Sequence, residues 1–251
     1  MITTHGICQV SIAPIRAAAS DESEIVTQLL FGDYVEVLEV GQPWIKIYFP
    51  ADDYEGWMDF KQLTYIAKGE FEVDSVKEHP VLTIGSLQIE GPIGAQHIIY
   101  GSNLPNLHEG KISFGGNSYE IDPIPHYRAS MVETAQLYLS TPYLWGGKGI
   151  YGIDCSGLTQ IVAKIHGKKL PRDASKQVHI GESISLNEVQ AGDFMYFINE
   201  KNIVHHVGIV TSENQIIHAA GFVRIDKFDE KGIWRDDLNR YTHKFHSIKR
   251  L

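Results

Sequence analysis

Turn-forming residues cut the first half of this chain into pieces too short for most helices. Up to about residue 67 the apolar runs at 9–12, 25–31, 34–40, 44–49 and 54–59 are separated by Gly32-Asp33, Gly41-Gln42-Pro43 and Asp52-Asp53. Short runs rich in β-branched and aromatic residues, punctuated by Gly, Pro and Asp, predict strands of a small all-β barrel. A second β-rich stretch follows, with runs around 81–84, 97–100, 111–114 and 119–121 and many glycines between them. Asp122-Pro123-Ile124-Pro125 then reads as a linker.

Beyond residue 126 the periodicity changes. Met131, Ala135 and Tyr138, with Val132 and Leu139 beside them, recur at helical spacing until Pro142. Leu158, Ile161, Val162 and Ile165 repeat at i, i+3, i+4 and i+7, and Gly167 supplies the stop. Strands are predicted at 194–198, 204–210 and 216–219, forming an antiparallel sheet. The chain thus divides into 1–67, 68–125 and 126–251, two β segments followed by an α+β domain.

A length of 251 residues leaves ample core for this plan, and 43% hydrophobic with 21% charged residues is ordinary for a folded protein. The net charge of -9 opposes binding to phosphate backbones and to anionic lipid, so neither nucleic acid nor membrane is an expected partner. No apolar run is long enough to span a bilayer. Residues 1–20 lack a basic leader, and Gln9, Ser11, Pro14 and Arg16 interrupt their apolar stretch, so the expected location is the cytoplasm despite Ala17-Ala18-Ala19.

Only Cys8 and Cys155 occur, too far apart in sequence to suggest a disulfide framework. Cys8 reads as a buried inert thiol. Cys155 stands at the predicted start of a helix, after a loop containing Gly146, Gly147, Gly149 and Gly152. Free backbone N–H groups and the helix dipole there favour a thiolate, and the same groups can hold an oxyanion. Proton acceptors come later, in His205-His206-Val207-Gly208 and Ile217-His218-Ala219. If these strands pair with residue numbers summing to an even value, His206 and His218 share a face and one can orient the other. His205 then points the opposite way and is structural.

Tyr143-Leu144-Trp145-Gly146-Gly147, Asp154-Cys155-Ser156-Gly157-Leu158, Arg172-Asp173, Ala191-Gly192-Asp193-Phe194, His206-Val207-Gly208-Ile209 and Ile217-His218-Ala219 resemble, in order, the landmarks of NlpC-type peptidases. The resemblance spans residues 128–251 and implies a papain-like fold acting on bacterial cell-wall peptides. It implies Cys155 as nucleophile, His206 as base and His218 as the residue holding the base, with no metal or cofactor. Tyr143 is similar to the tyrosine that lines the oxyanion site, while Trp145 fits a core position equally well.

Gly32-Asp33-Tyr34-Val35-Glu36-Val37-Leu38, Trp44-Ile45-Lys46-Ile47 and Gly56-Trp57-Met58 resemble a bacterial SH3-like domain, and 68–125 more weakly resembles a second. The fold expected is therefore multidomain: small all-β SH3-like barrels followed by an α+β papain-like cysteine peptidase domain. With Ser23 to Gly32 and Asp53-Tyr54-Glu55-Gly56-Trp57, this order is most similar to the γ-D-glutamyl-L-diamino acid endopeptidases, or dipeptidyl peptidase VI enzymes. These release L-Ala-γ-D-Glu from murein peptides with a free N-terminal L-alanine. On that pattern Glu24, Tyr54 and Asp173 bind the amine end, and Asp154, Ser156 and the backbone at Ala174 line the rest. Asp173 also fits the cap of a helix starting near Ala174. The partner expected is a murein-derived peptide. The alternatives are a general peptidoglycan hydrolase, another papain-like amidase or acyltransferase, a zinc site on Cys155, His206 and His218, and a non-catalytic wall-binding protein. Diaminopimelate and lysine at the third substrate position both remain open, as does the oligomeric state.

Overall fold

The structure, a computed structural model, describes residues 4–83, 85–122 and 129–251. The chain divides into two compact units, residues 1–127 and 128–251. The expected linker residues 123–125 and the end of the expected strand at Ile84 lie outside the described residues.

In the first unit β1 (His5–Cys8), β2 (Ile12–Arg16), β3 (Ile25–Leu30), β4 (Tyr34–Glu39), β5 (Trp44–Phe49), β6 (Tyr54–Asp59) and β7 (Leu63–Ile66) form one sheet, ordered β3-β2-β6-β5-β4-β1-β7. The run at 9–12 is not a strand of its own, because the chain bends there between β1 and β2. Strand β1 lies between β4 and β7 with every residue buried, so it lacks the alternation that marks a half-exposed strand. Helix α1 (Lys68–Asp74) follows, a departure from the all-β expectation. Then β8 (Ser86–Gly91), β9 (Gly94–Ile99), β10 (Lys111–Phe114) and β11 (Asn117–Ile121) form a second sheet, ordered β10-β11-β8-β9. Its Ile89, Ile98, Ile112, Phe114 and Tyr119 share one apolar cluster with Ile7, Phe31, Tyr34 and Ile66 of the first sheet. The burial of these side chains in common is what joins the two sheets into one unit.

The second unit opens with α2 (Met131–Gln136), capped reciprocally by Ser130 and Glu133. The short pair β12 (Lys148–Gly149) and β13 (Gly152–Ile153) leads into α3 (Cys155–Ile165), then α4 (Ala174–Gln177). The remaining strands are β14 (Glu182–Ile184), β15 (Phe194–Ile198), β16 (Val204–Ser212), β17 (Gln215–Ala220), β18 (Phe222–Asp229), β19 (Gly232–Arg235) and β20 (Arg240–Arg250). They run in the order β14-β20-β15-β16-β17-β18-β19, and β20 also pairs with β19, closing the sheet on itself. Met195, Phe197, Val210, Ile216, Phe228, Ile233 and Ile248 form the apolar core of this closed sheet. Strand pairing puts His206 beside Phe197, and it puts His218 with Arg224 and Ile216 with Asp226, on that same inner face. On the other face Val207, Ile209, Ile217 and Ala219 are fully buried, and α3 packs against β16 and β17. No helix among the described residues is long and apolar enough to cross a membrane.

Candidate active site

Cys155 is the first residue of α3, and the preceding Asp154 caps that helix through a 2.7 Å bond from Gly157 N–H to Oδ1. Such a cap contributes about 0.5–2 kcal/mol. Its other oxygen accepts from Gly146 N–H at 2.9 Å, fastening the glycine-rich loop to the helix start. Glycine is required at 157, where a Cβ would meet the Gly147 carbonyl oxygen at 2.2 Å. Arg172 completes the arrangement. Its guanidinium donates to both oxygens of Asp154 and, at 2.9 Å, to Ser156 Oγ, with Arg172 and Asp154 both buried. Asp154 and the Ser156 hydroxyl therefore bond to protein groups and build the ground on which Cys155 stands.

The sulfur of Cys155 lies against β16, 4.0 Å from the His205 carbonyl oxygen, and is approached by the N–H groups of Val207 and Ser156. These amides favour a thiolate, as the helix-start position predicts. Burial and the neighbouring Asp154 carboxylate outweigh them and push the thiol up to about 12. The expectation of a lowered thiol pKa is thus reversed, because enclosure removes the water that stabilises a thiolate. Tyr143 is half-buried in the same environment. Burial raises its phenol, and the neighbouring Asp154 carboxylate adds to this.

Strands β16 and β17 pair Ile209 with Ile217 and Val210 with Ile216, so the register sums are even. His206 and His218 share a face diagonally, and His206 Nε2 lies 2.8 Å from His218 Nδ1. His218 is fully buried, and its Nε2 meets Asp226 Oδ2 at 2.9 Å. Arg224 Nη2 donates to Asp226 Oδ1 at 2.7 Å, and Asp237 in turn accepts from Arg224 and Arg235. Burial alone would raise the Asp226 carboxyl, but hydrogen bonds from His218 and Arg224 hold it below the usual range. Burial lowers His206 well below an ordinary imidazole, and the neighbouring His243, His218 and His205 add to this. Burial thus disfavours charge both on the Cys155 thiol and on the His206 and His218 imidazoles.

Asp226, Arg224 and His243 were not singled out from the sequence. They lie on strands whose inner faces alternate charged with apolar residues, so only the pairing with β17 reveals them. His243 stacks on His206, centroids 4.0 Å apart, and its Nδ1 lies 2.9 Å from Thr242 Oγ1. His206, His218 and His243 offer nitrogens within 4.8 Å of one another, the one metal-like group among the described residues. Two of these histidines bond to each other, His206 Nε2 to His218 Nδ1 at 2.8 Å.

Other expected residues fall as follows. Asp173 occupies the N-cap position of α4 without a side-chain cap hydrogen bond, and its carboxylate lies 4.0 Å from Lys176 Nζ. Ala174 is buried at the start of α4. Trp145 is 61% exposed and is not a core residue. His205 is exposed and stacks on His243. In the first unit Glu24 is exposed just before β3 and Tyr54 is half-buried at the start of β6. A bond from Thr27 Oγ1 to Asp52 Oδ2 ties β3 to the turn before β6.

Residues 140–242, which contain the loop, Cys155 and both histidines, match the NlpC/P60 family. This part of the chain is an NlpC/P60 domain. Residues 15–63 match the bacterial dipeptidyl-peptidase SH3 domain, so an NlpC/P60 domain here follows an SH3-like one. The chain is 29% identical over 231 residues to the gamma-D-glutamyl-L-lysine dipeptidyl-peptidase of Bacillus cereus, covering 80% of this chain and 68% of the relative. It is 27% identical over 237 residues to the protein of the same name from Bacillus subtilis, covering 81% and 75%. The crystal structure of an NlpC/P60 family protein from Bacillus cereus superposes with a TM-score of 0.80 at 22% identity, covering 98% of this chain and 99% of that one, which shows the shared fold.

Proposed function

We propose that this NlpC/P60 protein is a cysteine endopeptidase that hydrolyses the γ-D-glutamyl-L-diamino acid bond of murein peptides whose N-terminal L-alanine is free. The observation that carries the reading is the hydrogen-bonded run from His206 through His218 to Asp226, on strands packed against the helix that begins at Cys155. Similarity to two gamma-D-glutamyl-L-lysine dipeptidyl-peptidases supports the substrate class.

In this mechanism the Cys155 sulfur attacks the glutamyl carbonyl carbon as His206 takes the thiol proton, and His206 then delivers that proton to the leaving amine. Because the resting thiol is neutral, proton removal accompanies attack. The N–H groups at the start of α3, with the Tyr143 hydroxyl, stabilise the oxyanion. Water then cleaves the thioester, and L-Ala-γ-D-Glu departs. Asp173 pairs with the substrate ammonium, and Glu24 and Tyr54 carry the same role from the family resemblance. The natural substrates are murein fragments from wall turnover, met in the cytoplasm.

The test compares L-Ala-γ-D-Glu-diaminopimelate, and its lysine counterpart, with the N-acetylated forms. Acetylation removes the charge from the amine and leaves the half-exposed Asp173 carboxylate without its substrate partner, so kcat/KM should fall at least about tenfold. Cys155→Ala should abolish turnover, and His206→Ala should remove nearly all of it. Asp173→Asn and Glu24→Gln should each narrow the discrimination. Equal kcat/KM for free and acetylated peptides refutes the substrate assignment, and turnover by Cys155→Ala refutes the nucleophile.

A further inference from the structure

We infer that Asp226, oriented by Arg224, sets the tautomers of His218 and His206 and thereby leaves Nδ1 of His206 as the basic atom. The inference deepens the proposed function and rests on its assignment of His206 as base.

Hydrogens are fixed in turn along one chain of contacts. An ionised carboxylate can only accept, so the 2.9 Å contact between Asp226 Oδ2 and His218 Nε2 requires a hydrogen on that nitrogen. A neutral imidazole carries one N–H, which leaves His218 Nδ1 as an acceptor. The 2.8 Å contact with His206 Nε2 is then a bond donated by His206, whose remaining nitrogen, Nδ1, keeps its lone pair. Each assignment follows from the one before it, and the first depends on Asp226 being ionised and correctly turned.

Arg224 favours both conditions, although an ionised carboxylate accepts from His218 through either oxygen. Its Nη2 donates to Oδ1 at 2.7 Å, and its Nε lies 2.6 Å from Oδ2 without the alignment of a hydrogen bond. The aligned bond therefore singles out Oδ1, leaving Oδ2 to face His218. Arg235 adds positive charge 3.9 Å from Oδ2, and Asp237, bound to both arginines, holds the cluster together. Register explains how the sequence assembles this. His218 pairs with Arg224 and Ile216 with Asp226, so alternate residues of β18 reach the same face as the histidine.

Asp226→Asn is the discriminating variant. Arg224 Nη2 keeps the amide oxygen at the Oδ1 position, so the NH2 group turns to His218 Nε2 and must donate to it. His218 then carries its hydrogen on Nδ1, and His206 is forced to carry its own on Nδ1 as well. Nitrogen NMR of labelled imidazoles reads these tautomers directly, and iodoacetamide alkylation of Cys155, located by mass spectrometry, reads the base without any peptide substrate. The wild type at pH 7 should show Nε2–H at both His206 and His218. Asp226→Asn should show Nδ1–H at both, with alkylation of Cys155 slowed about 100-fold. Arg224→Gln, which retains the carboxylate, should keep the wild-type tautomers. An Nδ1–H tautomer at either histidine in the wild type overturns the inference even if the Asn variant does not fold. Unchanged tautomers, or inverted tautomers with undiminished alkylation, in Asp226→Asn overturn it too. Absence of murein peptide cleavage alongside the expected spectra and alkylation rates would instead overturn the substrate assignment alone.

Discussion

The ring of His243 lies nearly flat against that of His206, with centroids 4.0 Å apart and planes 23° from parallel. Phe197 approaches the same imidazole at 5.9 Å, so the His206 ring is held by ring packing as well as by its bond to His218.

Removing that packing should cost rate and leave binding intact. His243→Ala frees the His206 ring to tilt, and kcat should fall about tenfold with little change in KM, since small misplacements of a reacting group are costly. His243→Phe preserves a flat face and should retain most of the activity. Steady-state kinetics on the two variants checks this, and equal loss in both would show that the imidazole chemistry of His243, not its face, matters.

Stability should fall on mild acidification. Burial lowers His206, His218 and His243, the last to about 3, with His218, His205 and Arg235 opposing a charge on His243 and Asp226 favouring one. Between about pH 3 and the unfolded value near 6.5 the unfolded chain binds more protons than the folded one, so stability is fully present above about 6.5 and declines below it. Each histidine contributes a slope of up to about 1.4 kcal/mol per pH unit. The Tm of the NlpC/P60 unit should therefore drop between about pH 7 and pH 5, and His243→Phe should flatten the decline. A Tm constant across this range contradicts the neutral, buried state of these rings.

Arg172 should prove structural in a way that lysine does not replace. Its guanidinium reaches both oxygens of a carboxylate that is only 5% exposed. Arg172→Ala strands that charge and should destabilise by about 3–5 kcal/mol, and Arg172→Lys should recover only part of this because an ammonium cannot fork. Urea unfolding followed at the second unit measures both.

The two cysteines should separate stability from turnover. Cys8 is fully buried in the apolar cluster of the first sheet, where its thiol donates to the Val10 carbonyl oxygen at 3.4 Å. Cys8→Ser should cost about 1–3 kcal/mol through its buried hydroxyl, with kcat nearly unchanged. Cys155→Ser should show the opposite pattern, losing turnover with little change in Tm. Calorimetry paired with peptide hydrolysis distinguishes them.

Much of this site is legible in the linear chain because its first members sit on local signals. A capping Asp154, a glycine-rich approach and a regular apolar spacing place Cys155 at the start of α3, and alternation along β16 and β17 puts His206 and His218 on one face. Strands β5, β6, β10 and β15 could likewise be read from runs bounded by turns. What the sequence does not display is anything that depends on pairing between distant strands. Arg224, Asp226 and His243 turn charged or polar side chains inward, so β18 and β20 lack the apolar alternation that reveals a strand, and their partners are chosen only when the sheet closes. The protonation state at Cys155 is tertiary in the same sense. Helix position alone favours a thiolate, but a thiol's charge responds to all the water it has lost, and that loss exists only once α3 lies against β16.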